Sequence, residues 1–408
     1  MTSRIDRLFQ VEELSSGLVA LIIAAVLGAL YWSNPDVHAH FGEWESSFYL
    51  RTVLHPLQSP IDPHYGYRLL PALLVRLMRF DMKLGYLLVN YACLFGAAFV
   101  LYKILVFESI RPAFALWACI VFLIAKASTK FLLTYSSGQD ALFLLLMALG
   151  YHLIQLERWK SLIVVLCVGV LNKVAILALF IPALVYGSSL NGSSFSSISR
   201  NLANRSALLL LPLLVFVGIR LAYPPADTGY TFARDILSHL HLKFFVGSQI
   251  SANLPHLIEV PIAFYVVYGM IAVVMLFFAR DVWGIAKRNL PISVYFLTLS
   301  AITFMGSYDN ARCAVYVFIP VLYVCCSIME RNDAFFRSWY VLIPLISIQI
   351  YNSNLFNLNP ADYEAYMPHY MTADQAIGYF YVFVLSVGLM ATCRLIYSRE
   401  QRRGAAAG

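Results

Sequence analysis

The chain has 408 residues, of which 60% are hydrophobic and only 12% charged, with a formal net charge of +7 and a mean hydropathy of +0.72. A soluble core cannot absorb that much apolar surface, so the composition argues against a soluble globular domain and predicts an all-α polytopic membrane protein. The positive balance follows from charge flanking apolar segments and gives no reason to expect a nucleic-acid partner.

The N-terminal MTSRIDRLFQVEEL is too charged, and too long ahead of its apolar run, for a cleaved signal peptide. The first span is therefore expected to stay as an anchor. Apolar runs bounded by charge predict spans near 15–33, 84–107, 112–128, 137–156, 161–171, 174–187, 206–222, 261–279, 290–306, 312–329, 338–352 and 377–397. They amount to eleven or twelve transmembrane helices, depending on how Ser161 to Tyr186 is folded. That stretch is apolar except at Asn172-Lys173. It is too long for one untilted helix and too short for two full crossings of about 20 residues each. A hairpin with Asn172-Lys173 near its outer tip puts most of the 29 lysines and arginines, including the tail RLIYSREQRR, on the cytoplasmic side. A single helix reverses every later loop, so the positive-inside rule favours the hairpin with both termini cytoplasmic.

Two outer loops are large, 34–83 and 223–260, and the chain divides into a seven-span front module (1–222), the second outer loop and a five-span rear module (261–408). The Ser/Gly-rich stretch 187–205 reads as a flexible linker. The first loop carries Asp36, Glu43, Glu45, Asp62 and Asp81, and its aromatic and aliphatic content predicts a folded cap. Within it, Trp44–Leu57 and Arg68–Phe80 have apolar residues near helical spacing and are expected as two interfacial helices. The sequence shows no internal repeat, P-loop or dinucleotide-binding glycine pattern.

Several residues in this frame suit chemistry on a lipid-linked substrate. Asp36 follows the first span and has two readings: a turn residue in Asn34-Pro35-Asp36, or a partly dehydrated carboxylate placed to take a proton from a hydroxyl. Glu43 and Glu45 lie nearby as substitutes. Arg68, after Tyr65-Gly66-Tyr67, opens the second interfacial helix, where it either binds a phosphate bidentately or snorkels to headgroups. Lys173 lies in the apolar slab, where a lysine is costly and faces a cavity or a partner, with Asn172 beside it. Asp140 opens the fourth span and is expected to cap it, to bind sugar hydroxyls or to pair with Lys173. Arg312 follows the short loop Tyr308-Asp309-Asn310-Ala311 and is expected to bridge to Asp309 or to contact a phosphate. His38/His40 and His239/His241 are spaced i, i+2 without a cysteine, and the seven cysteines all fall within spans. No metal site or other cofactor is therefore expected, a divalent ion being the less favoured reading.

The order of elements resembles the GT-C superfamily of integral membrane glycosyltransferases, across residues 15–260. The run Asp36-Val37-His38-Ala39-His40-Phe41-Gly42-Glu43 is similar to the acid–His-Phe-Gly segment of protein O-mannosyltransferases, although Val37 stands where that family has a second acid. The run Tyr67-Arg68-Leu69-Leu70-Pro71 resembles the start of the second interfacial helix in bacterial relatives. The resemblance implies an inverting transfer from a polyprenyl-phosphate sugar to a glycan, lipid or protein acceptor at the outer face of the plasma membrane. In that reaction Asp36 is the base, Arg68, Lys173 and Arg312 meet the donor phosphate, and Asp140, Tyr67, Asn172 and Glu43 contact sugar or acceptor. Two alternatives stay open: a polysaccharide polymerase acting on lipid-linked glycans, and a lipid-linked sugar transporter or flippase, for which matched, broken-helix halves are expected.

Overall fold

The computed structural model describes residues 14–34, 41, 45–55, 68–125, 128–129, 131–134, 140–186, 205–222, 264–306, 314–354 and 373–407. Asp36, Glu43, Tyr67 and Arg312 lie outside them, as do the stretches 187–204 and 223–263. Among the described residues there is no β-strand, and those that fall within the predicted spans are mostly helical. Two helical stretches, Met82–Phe107 and Ile377–Arg403, are long and apolar enough to cross a membrane; the other apolar helices are 10–17 residues long.

Helix α1 is Ser16–Trp32, capped by Ser15, whose hydroxyl accepts from Leu18 N at 3.2 Å. Two ten-residue helices follow, α2 (Glu45–Leu54) and α3 (Leu69–Met78), packed on each other. Arg79 closes α3 in the left-handed conformation, φ 56°, and Asp81 caps α4 (Met82–Phe107) by accepting from Lys83 N at 3.0 Å. This tight turn lays α3 across the start of α4, where Val75 is buried beside Gly85. Phe41 meets Tyr86 edge-on, with centroids 6.1 Å apart, and so lies over the same end. Helices α1 and α4 are antiparallel: Tyr91 donates to Ala24 O at 3.0 Å, and Lys103 to Ser16 Oγ at 2.7 Å.

These contacts define two ends of the bundle. One carries the end of α1, Phe41, α3 and the start of α4. The opposite end carries Glu108, whose carboxylate accepts from Gln155 Nε2 at 2.8 Å and from Asn289 Nδ2 at 2.9 Å. It also carries Arg111, which opens α5 (Pro112–Ile124) and pairs with Asp333 at 3.1 Å. Arg337 reaches the same Asp333 carboxylate at 2.7 Å.

The stretch from Trp159 to Tyr186 is a hairpin. Helix α7 (Asp140–Gln155), which follows the short α6 (Phe131–Thr134), serves as its ruler, about 24 Å long at 1.5 Å per residue. Helix α8 (Trp159–Gly169) climbs it, residues 170–173 turn, and a 3₁₀ stretch Val174–Leu179 followed by α9 (Phe180–Val185) descends. Lys173 is bonded to Asp140 at the top of α7, and the Tyr186 hydroxyl donates to Gln155 O at its foot, at 2.9 Å. Glycine is required where the arms meet, because a Cβ on Gly169 would stand 2.7 Å from Ile176 Cγ1.

Helix α10 (Ala207–Ala222) packs on α8, and α9 packs on α13 (Leu290–Gly306), which joins the N- and C-terminal parts of the chain. The C-terminal part comprises α11 (Met270–Phe277), α12 (Ala279–Arg288), α13, a 3₁₀ turn Val315–Val317, α14 (Phe318–Arg331), α15 (Asp333–Phe336), α16 (Trp339–Asn354) and α17 (Ala373–Ala407). Three features depart from the sequence reading. The segment read as one span, 261–279, is helical over 264–268 and again in α11, interrupted at Gly269. A separate helix, α12, occupies what was read as a loop. The basic tail continues α17 without a break as far as Ala407.

Candidate functional site

The polar centre of the bundle is at the tip of the hairpin. Lys173 Nζ donates to Asp140 Oδ1 and to the Tyr316 hydroxyl, both at 2.5 Å, and the Tyr316 hydroxyl donates to the same Asp140 oxygen at 2.6 Å. Asp140 is 1% exposed and the Lys173 side chain 13%. The ammonium lies 4.9 Å from the Tyr316 ring centroid and 5.6 Å from that of Phe143, and these two rings meet edge-on at 4.7 Å. Aromatic faces thus take the part of solvent around a buried cation.

Each partner is delivered by a chain end rather than by a mid-helix position. Asp140 opens α7, where a carboxylate is favoured by the exposed amides of the first turn. Lys173 sits in extended conformation, φ −149°, between the turn that ends α8 and the 3₁₀ stretch, so its side chain leaves the hairpin at the tip. Tyr316 lies in the 3₁₀ turn that precedes α14. Asn172, fully buried, completes the tip.

Arg68 comes to the same place through the backbone. It is the residue before α3, and the amide of Leu70, in that helix's first turn, donates to Leu171 O at 3.2 Å. Pro71 has no amide to satisfy, and this bond satisfies the amide of Leu70 in that first turn. Half-buried Arg68 therefore stands beside the hairpin tip that carries Asn172 and Lys173.

Of the residues singled out from sequence, the structure brings Asp140, Asn172, Lys173 and Arg68 to one end of the bundle. Asp140 stands at the N-terminus of α7 and pairs with Lys173. Lys173 is accordingly an ion-paired cation, held in place by two oxygens. Tyr316 was missed, since one tyrosine among 26 carries no sequence signal, although it stands four residues after Arg312. The described residues hold no group of three or more His, Cys, Asp or Glu side chains able to bind a metal.

The cluster sets an ammonium, a carboxylate and a phenol in a largely dehydrated setting, where their polar interactions are stronger than in water. Compared with models of known protein families and with curated proteins, the chain matches none.

Proposed function

We propose that the chain is a multi-pass plasma-membrane glycosyltransferase that moves a sugar from a polyprenyl-phosphate donor to an acceptor at the outer face, with both termini in the cytoplasm. The observation that carries this reading is the buried Lys173–Asp140–Tyr316 cluster, set against the N-terminus of α3 and Arg68. A charged group in so apolar a bundle is expensive, and its usual reason is a substrate pathway. The membrane setting is supported by exposed apolar side chains such as Leu21, Leu214, Leu297 and Leu385. Exposed Trp32 at the cluster end, with Trp283 and Trp339 at the end rich in arginine, fits two interfacial belts.

In the proposed reaction the Asp36 carboxylate takes the proton of the acceptor hydroxyl, whose oxygen bonds to the anomeric carbon from the face opposite the phosphate. The carbon–oxygen bond to phosphate breaks, and polyprenyl phosphate leaves with the electron pair. Lys173, Arg68 and Arg312 stabilise its growing negative charge. Tyr67, Glu43, Asn172 and Asp140 line the sugar side.

The test is transfer by the purified chain in liposomes carrying polyprenyl-phosphate sugars. Asp36→Asn is expected to abolish transfer while expression and size-exclusion behaviour persist. Wild-type activity in that variant would move the base to Glu43, Glu45 or Asp62. Appearance of the intact lipid-linked sugar in the opposite leaflet without any new glycosidic bond would replace the transferase reading with transport.

A further inference from the structure

The break at Gly269 leaves hydrogen-bonding groups that the bundle itself does not satisfy. Gly269 has φ +50° and ψ −121°, a mirror-β conformation that side-chain-bearing residues avoid. Two side chains of α16, one turn apart, answer the interruption: Asn352 Nδ2 donates to Tyr265 O at 3.3 Å and to Val266 O at 3.1 Å, and Gln349 Oε1 accepts from Met270 N at 3.1 Å. These bonds fix which way both amides face. The second atom of each is then left over: Gln349 Nε2, a donor, and Asn352 Oδ1, an acceptor, are both buried and, among the described residues, have no hydrogen-bond partner. The residues are 2% and 1% exposed, and orphaned amide groups at that depth are rare in folded proteins.

The position is next to the candidate site. Tyr268 adjoins Gly269, and its hydroxyl donates to Ala314 O at 2.8 Å, just before the 3₁₀ turn that presents Tyr316 to Asp140 and Lys173. The break and the cluster are thus braced against the same turn.

We infer that the Gly269 break is a binding site for a hydroxyl group, which accepts from Gln349 Nε2 and donates to Asn352 Oδ1. An O–H is the smallest group that satisfies both atoms, whereas an anion would satisfy only the first and a cation only the second. Its two sources are a bound water and a hydroxyl of a saccharide held at the neighbouring cluster; the second rests on the glycosyltransferase reading.

The experiment uses the full chain in lipid nanodiscs with ¹⁵N-labelled glutamine side chains. Gln349→Glu identifies the Gln349 amide signal while keeping an oxygen for Met270 N, and unchanged signals from the remaining glutamines show that the variant is folded. Transfer of magnetisation from water to the Gln349 amide is recorded alone, with citronellyl phosphate, and with citronellyl-phosphoryl mannose, glucose and galactose. The expected result is a water contact that at least one phosphoryl sugar displaces and citronellyl phosphate does not. Gln349→Glu should then weaken that sugar's affinity about tenfold, the worth of one buried hydrogen bond, and leave citronellyl phosphate within about twofold. A water contact that survives every sugar supports the hydroxyl site with water as its occupant. An amide that contacts no water and responds to no sugar overturns the inference. Failure of citronellyl phosphate and all three phosphoryl sugars to bind anywhere counts against the glycosyltransferase reading alone, because the water arm is read without ligand.

Discussion

Asp140→Asn is a sharp test of the cluster, because the change is isosteric and removes only charge. The introduced amide retains a carbonyl oxygen for Lys173 Nζ and Tyr316, so the hydrogen-bond geometry survives. The ammonium, however, loses its counter-charge at a site where its side chain is 13% exposed. Breaking a buried pair from one side costs about 3–5 kcal/mol. The partial exposure of Lys173 and the nearby rings of Tyr316 and Phe143 place this variant at the lower end, about 3 kcal/mol. Lys173→Met strands the carboxylate instead, which is 1% exposed and is expected to cost about 4 kcal/mol. The double variant Asp140→Asn/Lys173→Met leaves a neutral amide and an apolar side chain of similar length, so most of the loss should return, giving a coupling energy of about 3 kcal/mol or more. Equilibrium unfolding in mixed detergent–lipid micelles measures all four proteins, and high salt should change the coupling little because the pair is buried. Additive losses in the double variant would show that the two groups do not stabilise each other, and the account of the cluster would be wrong.

Three further outcomes follow from the geometry. Glu108 is largely buried, and that burial raises its carboxyl above the ordinary value of 4.5 despite the amides of Gln155 and Asn289, which lower it. The folded state then binds this proton more readily than the unfolded one, so stability should rise as pH falls through the raised value, reaching its full gain below about 4.5; Glu108→Gln should flatten that part of the stability–pH curve, and an unchanged slope would refute the assignment. Gly269→Ala puts a Cβ 2.6 Å from Gln349 Oε1 at a positive φ, and its melting temperature should fall sharply, by the equivalent of about 2 kcal/mol or more. Reporter fusions ending after residues 157 and 190 should report the same side of the membrane, since the hairpin returns Tyr186 to the level of Gln155; opposite sides would mean that 159–186 crosses once in the membrane.

Much of the fold was legible because each helical segment carries its own signal. Apolar runs bounded by charge and the polar pair Asn172-Lys173 within an apolar stretch are local signals. The Gly269 break was not legible in this way. Nothing near Gly269 announces it, and the groups that stabilise it come from Gln349 and Asn352, 79 to 87 residues further along. Two amides one turn apart inside an apolar run were the available clue, because buried polar groups need partners. Helix α12 was missed for the opposite reason: its charges, Arg280, Asp281, Lys287 and Arg288, read as a loop between spans, yet Ile285 is buried and Trp283 exposed, as in a helix lying along a surface.

The candidate site divides along the same line. Asp140 and Lys173 are 33 residues apart, each costly alone in an apolar bundle, and each is the other's cheapest remedy, which is why pairing was one of the readings open from sequence. The hairpin follows from that remedy as much as from its apolar arms. A single helix through 161–186 would carry Lys173 about 18 Å from either end, at 1.5 Å per residue, with no reason to meet the first residue of α7. Turning the chain at residues 170–173 instead lifts the ammonium to the level of Asp140. Tyr316, 143 residues beyond Lys173, could not be found by this reasoning, because a tyrosine is at ease in an apolar setting and has no charge in need of a partner. What it adds is attachment: through its hydroxyl, the pair formed within α7 and the hairpin is tied to the turn that begins α14, so displacement of that turn must disturb the buried Lys173–Asp140 pair.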